Sequence, residues 1–161
     1  MYRALGARFA APVFLFDFLK GFGPAFAISR CGTAFAVSQP GIALLAGGAA
    51  IAGHLFSPWT GWRGGKGVAT GAGVVTALCP PLAPGCLAVF ALVLLVSRRM
   101  SVASIAAACS VPLWYLAISF ARGNGVDWFL LSFFALVPAV VVARHRGNIR
   151  RLREGTEERL F

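Results

Sequence analysis

Apolar residues run along this chain in six stretches parted by short polar breaks. The stretches cover residues 9–28, 34–56, 68–82, 85–96, 102–120 and 128–143. A helix needs about 20 apolar residues to cross a bilayer, fewer if it is short or re-entrant. The second stretch carries Gly41, Gly47, Gly48 and Gly53, which allow close helix approach. A polar, glycine-rich break follows at 57–67. The third and fourth stretches are short and parted by Pro80, Pro81 and Pro84, a pattern that predicts half-helices or a steep hairpin packed against other helices. Trp128 and Arg144 flank the last stretch, as interface anchors do. The pattern predicts an all-α, multi-pass transmembrane helical bundle of about six segments, some short or broken, forming one domain over residues 1–161.

Composition agrees. Apolar residues make up 58% of the chain and charged residues only 12%, against roughly a quarter in soluble domains. The mean hydropathy is +0.78. The segment from Arg3 to Ala27 has the early arginines of a signal peptide, but Asp17 and Lys20 interrupt its apolar run and argue for a membrane span. The net charge of +10 comes from short basic clusters between apolar runs. That arrangement suits loops beside anionic lipid and lacks the basic stripe of a nucleic-acid binder. If all six stretches cross, twelve of the fifteen basic residues fall on one side. Arg30 and Arg122 lie on the other, and Lys20 lies within a span. The asymmetry places the basic face, including the C-terminus, in the cytoplasm. Cys31, Cys79, Cys86 and Cys109 show no CxxC spacing and read as small core or lipid-facing residues. No metal or cofactor site is expected.

Two polar segments on the basic face could carry chemistry. The first holds Gly64-Gly65-Lys66-Gly67-Val68-Ala69-Thr70-Gly71. It fails the Walker pattern, since Gly67 follows the lysine and Thr60 stands where the first glycine belongs. It reads either as a phosphate cradle of another kind or as a glycine-rich helix junction whose lysine reaches the headgroups. The second is the tail from Arg144. There His145 and Asn148, three residues apart, share a face if the piece is helical. They could hold a hydroxyl and a phosphoryl oxygen, or the tail could simply adhere to anionic lipid. His54 reads as an interfacial histidine or a catalyst. Asp17 and Lys20, also three apart, read as a local ion pair within a span. Ser101 and Ser104 read as helix caps or phosphate contacts. No Ser-His-Asp order is evident. The HxxxxD acyltransferase signature is absent too, because Trp59 and Arg150 stand five residues after the two histidines. An enzyme built from these parts would act on an already activated substrate held by cations.

Together these pieces resemble the PlsY family of bacterial integral-membrane acyl-phosphate:glycerol-3-phosphate acyltransferases. The stretch from Gly53-His54-Leu55-Phe56-Ser57-Pro58 to Gly71 is similar to the family's second motif. Arg144-His145-Arg146-Gly147-Asn148-Ile149-Arg150-Arg151-Leu152, with Gly155-Thr156-Glu157, is similar to the third. Asp17-Phe18-Leu19-Lys20-Gly21 and Ser101-Val102-Ala103-Ser104-Ile105 match two further stretches. Arg3 matches the final arginine of the family's first motif, SGNxGATNxxR, so the chain is expected to be N-terminally short relative to the family. Either its start lies upstream or it is a shortened relative.

The resemblance implies transfer of a fatty acyl group from acyl phosphate to the sn-1 hydroxyl of glycerol 3-phosphate, in the bacterial inner membrane. The products are lysophosphatidic acid and phosphate. It implies catalytic roles for Lys66, His145, Asn148 and Arg3, and phosphate contacts from Gly64, Gly65, Gly67, Thr70, Ser101 and Ser104. His54, Asp17, Lys20 and Glu157 would support the architecture. Membrane lipid surrounds the chain, and no obligate protein partner or nucleic acid is implied. Two rivals stay open: a relative that binds anionic phospholipid or glycerol phosphate without turnover, and a small transporter with a cytoplasmic anion gate.

Overall fold

The computed structural model describes residues 7–30, 39–62 and 64–161. Helices account for all the regular structure among them: α1 (Ala7–Arg30), α2 (Gln39–Leu55), α3 (Val68–Leu78), α4 (Leu82–Ser97), α5 (Met100–Ala121), α6 (Trp128–Arg144) and α7 (Arg146–Arg153). A short 3-10 turn, Pro58–Thr60, follows α2. Three helical stretches are long and apolar enough to cross a membrane: Arg8–Arg30, Gly41–Thr60 and Met100–Ala121. Trp128–Arg144 and Arg146–Arg153 form a pair bent by 59°, while Val68–Leu78 and Leu82–Ser97 are shorter apolar helices.

Among the described residues, each of the six apolar stretches thus forms a helix. The boundary between the third and fourth differs from expectation. α3 stops at Leu78 and α4 already begins at Leu82. Pro80 and Pro81 occupy the turn, whereas Pro84 lies in the first turn of α4. A proline is tolerated there because its missing N–H has no intrahelical partner to lose.

The contacts divide into two compact units, Met1–Leu78 and Cys79–Phe161. In the first, α1 packs on α3 through glycines. A Cβ on Gly21 would overlap the Thr70 carbonyl oxygen, and one on Gly73 would overlap the Phe18 carbonyl oxygen. Likewise Gly47 admits the Val74 side chain and brings α2 onto α3. Small residues give this backbone approach where lipid leaves little hydrophobic drive between helices. Phe18, Phe22 and Phe26 stack along α1 with centroids 5.8 and 5.1 Å apart, the four-residue spacing of one helix face.

In the second unit, a Cβ on Gly85 would lie 2.6 Å from the Trp114 indole, so glycine lets α4 meet α5. Ser110 Oγ donates to Cys86 Sγ across the same contact at 3.7 Å. Tyr115 packs edge-on to Phe134, joining α5 and α6 with centroids 5.3 Å apart. Asp127 starts α6: its carboxylate accepts from the Phe129 and Leu130 N–H groups at 2.9 and 3.0 Å, satisfying donors a helix start leaves open. Phe9, Phe14, Phe16, Leu45, Leu92, Leu95 and Phe120 remain exposed, the outward apolar surface a bilayer covers.

Candidate active site

The glycine segment folds back on the end of α2. After the 3-10 turn the chain reverses through Gly61 and Trp62, both left-handed at φ 61° and 63°. The Gly64 N–H then donates to the Leu55 carbonyl at 3.1 Å, and the Gly65 N–H to the His54 carbonyl at 3.2 Å. These bonds correct part of the sequence expectation. The Gly64 and Gly65 amides cap α2, whose last carbonyls lack intrahelical donors, rather than facing a phosphate. Glycine is required at both places. A Cβ on Gly64 would overlap the His54 carbonyl oxygen, and one on Gly65 would overlap the His54 ring. Lys66 is exposed, and Gly67 is buried with φ 77°, turning the chain into α3. Thr70 is fully buried against Gly21, and its Oγ1 lacks a hydrogen-bond partner among the described residues. It packs α1 on α3.

Beside this loop a cavity of 580 Å³ opens, walled by α1, α2 and the glycine segment. Lys20, Asp17, His54, Thr60, Gly64 and Gly65 form its polar part, and Pro24, Ala46 and Ala50 its apolar part. Asp17 Oδ1 accepts from Lys20 Nζ at 2.5 Å, the ion pair expected from their spacing, and lies 3.5 Å from His54 Nδ1.

In the second unit the tail gathers around Glu157. Its Oε1 accepts from Ser101 Oγ at 2.9 Å and from Asn148 Nδ2 at 2.6 Å, and its Oε2 accepts from Arg151 Nε at 2.8 Å. Arg99 Nε donates to the Glu157 carbonyl at 3.3 Å. Burial pushes the Glu157 carboxyl up, but the hydrogen bonds from Asn148, Arg151 and Ser101 and the Arg151 charge outweigh it and hold the group below its ordinary value. Leu160 N–H donates to the Arg98 carbonyl at 2.6 Å, tying the tail to the α4–α5 turn. Neither Ser101 nor Ser104 caps a helix, because Arg99 holds the cap position of α5. Both serines are buried.

His145 sits at the junction of α6 and α7, 2% exposed, with φ −95° and ψ 6°. It is therefore the capping residue before α7 rather than part of one helix with Asn148. The Nδ1–H donates to the Val141 carbonyl at 2.7 Å. A carbonyl can only accept, so in the neutral ring Nε2 is the acceptor nitrogen. Asn148 spends an N–H on Glu157, which fixes the amide and directs its oxygen away from that carboxylate. The sequence reading missed Arg99 and Arg151. Their signal was the scarcity of acid: Glu157 is one of five acidic residues in a chain with fifteen basic ones. Arg3 and Cys31 lie outside the described residues. Among those described, no three His, Cys, Asp or Glu residues come together as metal ligands would.

Residues 1–155 match the family described as glycerol-3-phosphate acyltransferase. The chain belongs to the glycerol-3-phosphate acyltransferase family. It is 36% identical over 159 residues to the glycerol-3-phosphate acyltransferase of Geobacter sulfurreducens, covering 99% of this chain and 76% of the relative. It is 35% identical to that of Chlorobium phaeobacteroides, with 99% of this chain and 78% of the relative covered. Two crystal structures of PlsY, an integral membrane glycerol 3-phosphate acyltransferase, share the fold at 37% identity over 98% of this chain. The glycerol 3-phosphate form has a TM-score of 0.83 and is covered over 74% of its length. The lysophosphatidic acid form has a TM-score of 0.82 and is covered over 76%. This glycerol-3-phosphate acyltransferase family member is accordingly an integral membrane protein, as its apolar helices require.

Proposed function

We propose that the chain transfers a fatty acyl group from an acyl phosphate to the sn-1 hydroxyl of glycerol 3-phosphate, releasing lysophosphatidic acid and inorganic phosphate. The acceptor follows from the family. One observation carries it: likeness over nearly the whole chain to an acyltransferase crystallised in glycerol 3-phosphate and lysophosphatidic acid forms. The acyl-phosphate donor is our reading of the chemistry available. The reaction needs no protein nucleophile if the donor is a mixed anhydride with a good leaving group. The hydroxyl oxygen attacks the acyl carbon, the bond from that carbon to the phosphate oxygen breaks, and the hydroxyl proton ends on a phosphate oxygen.

Cations and fixed dipoles then supply the catalysis, by stabilising charge that develops on oxygen. Lys66 holds a phosphate, with Arg3 as a second cation. His145 Nε2, an acceptor in the neutral ring, receives the glycerol hydroxyl, and the Asn148 amide orients glycerol phosphate. The engagement of Ser101 by Glu157 favours Ser104 for any further phosphate contact. We place the reaction at the cytoplasmic face of the bacterial inner membrane, where the positive-inside bias puts the lysine loop and the tail. Residues 1–161 act as a single integral-membrane catalytic domain.

Donor competition tests this. Purified protein in detergent is given glycerol 3-phosphate with palmitoyl phosphate or with a palmitoyl thioester, and the lipid product is identified by mass spectrometry. Lysophosphatidic acid from the acyl phosphate alone supports the reading. Formation from the thioester alone overturns the donor, and no acylated product overturns the enzyme.

A further inference from the structure

The end of α2 contacts the lysine loop through His54 and Leu55, and Ile51 lies near Gly67. His54, in the last turn of α2, has its ring against Gly65. The three atoms nearest a Cβ built on Gly65 are all His54 ring atoms, and that Cβ would overlap Nε2. Gly65 is not in the left-handed region, so its backbone would accept alanine, and the His54 ring is what forbids one. On its other edge the ring lies 3.5 Å from Asp17 of α1, which Lys20 holds in turn. The His54 carbonyl also receives the Gly65 N–H. Side chain and backbone of one residue thus meet the loop next to Lys66.

We propose that His54, braced by Asp17, is a positioning residue: its ring is the stop against which Gly65 rests, setting where Lys66 presents its charge. The proposal rests on the phosphate-binding role of Lys66 given above. Glycine at 65 is then a matching surface for the ring, whereas glycine at 64 answers to backbone alone. The three atoms nearest a Cβ on Gly64 are backbone atoms of the His54 and Leu55 carbonyls.

That difference gives the test. His54→Ala, Gly65→Ala and the double variant are made in the full chain, with Gly64→Ala alone and combined with His54→Ala as control. Glycerol 3-phosphate binding is measured by calorimetry in detergent, alongside KM, kcat and melting temperature. Each single variant at 54 and 65 weakens binding about tenfold, with kcat changed less, and the double variant is no weaker than the worse single. The Gly64→Ala effect multiplies with that of His54→Ala, because removing the ring frees no room there. Independent, multiplicative effects at 54 and 65 would overturn the proposal. Coupling seen in melting temperature but not in binding would overturn it too, leaving a packing contact. A wild type that binds glycerol 3-phosphate without acyl transfer would defeat the proposed reaction, yet the binding cycle would still decide the role of His54.

Discussion

Lys66 and Glu157 carry opposite charges for different reasons. Lys66 is exposed beside Gly64 and Gly65, whose amides serve α2, and in the reaction proposed above its ammonium holds a phosphate. Lys66→Ala should lower kcat/KM by at least a hundredfold, the scale of one lost oxyanion donor at about 3 kcal/mol, while the melting temperature in detergent stays near wild type. Glu157 instead organises its own protein. It accepts from Ser101, Asn148 and Arg151. Glu157→Ala leaves those donors without their acceptor and should cost about 1–3 kcal/mol, read by thermal or denaturant unfolding. The pH dependence follows from its lowered carboxyl. The unfolded chain takes up the proton first as pH falls. The contribution is therefore full above 4.5, the ordinary value, and is lost as pH drops through the folded one. Glu157→Gln should flatten that acid-side loss. In the sequence it was the resemblance, not residue types alone, that singled out Lys66, His145, Asn148 and Glu157; the structure joins Asn148 to Glu157. The use of the Gly64 and Gly65 amides stayed hidden, because it depends on the chain reversing at Gly61 and Trp62 onto α2.

Among the elements, long apolar runs were legible and their joints less so. Among the described residues all six stretches form helices, because an uninterrupted apolar run in a bilayer has one way to satisfy its backbone within itself. Pro84 misled the reading of the α3–α4 break, since a proline at a helix start and one that ends a helix look alike in sequence. The glycines of α1 and α3 separate by position in a way that hydropathy does not show. Gly73 of α3 faces the Phe18 carbonyl and the Phe22 amide, and such backbone cannot move aside. Gly73→Val should therefore destabilise the protein by about 1–3 kcal/mol or more, as overpacking does. Gly23 of α1 has open space around its Cβ position. Gly23→Ala should be neutral or stabilise by up to about 1 kcal/mol through helix propensity. Melting temperatures of the two variants in one detergent would check both. The tail's bend was equally illegible: His145 lies between α6 and α7 with its ring bonded to the Val141 carbonyl, a contact that spacing alone does not announce.

For the whole molecule, we propose a membrane-embedded acyltransferase that takes an acyl phosphate and glycerol 3-phosphate as its two substrates. Its exposed surface is apolar along the helices, and its cations cluster in loops and tail. The central claim is direct transfer: the acyl group passes from acyl phosphate to glycerol phosphate without resting on the protein. The most direct measurement is the stoichiometry of phosphate release in reconstituted vesicles supplied with palmitoyl phosphate, with and without glycerol 3-phosphate. The account predicts one phosphate released for each glycerol phosphate acylated, and neither a burst nor steady release when the acceptor is left out. A stoichiometric burst of phosphate in the absence of glycerol 3-phosphate, with the acyl group left on the protein, would contradict it.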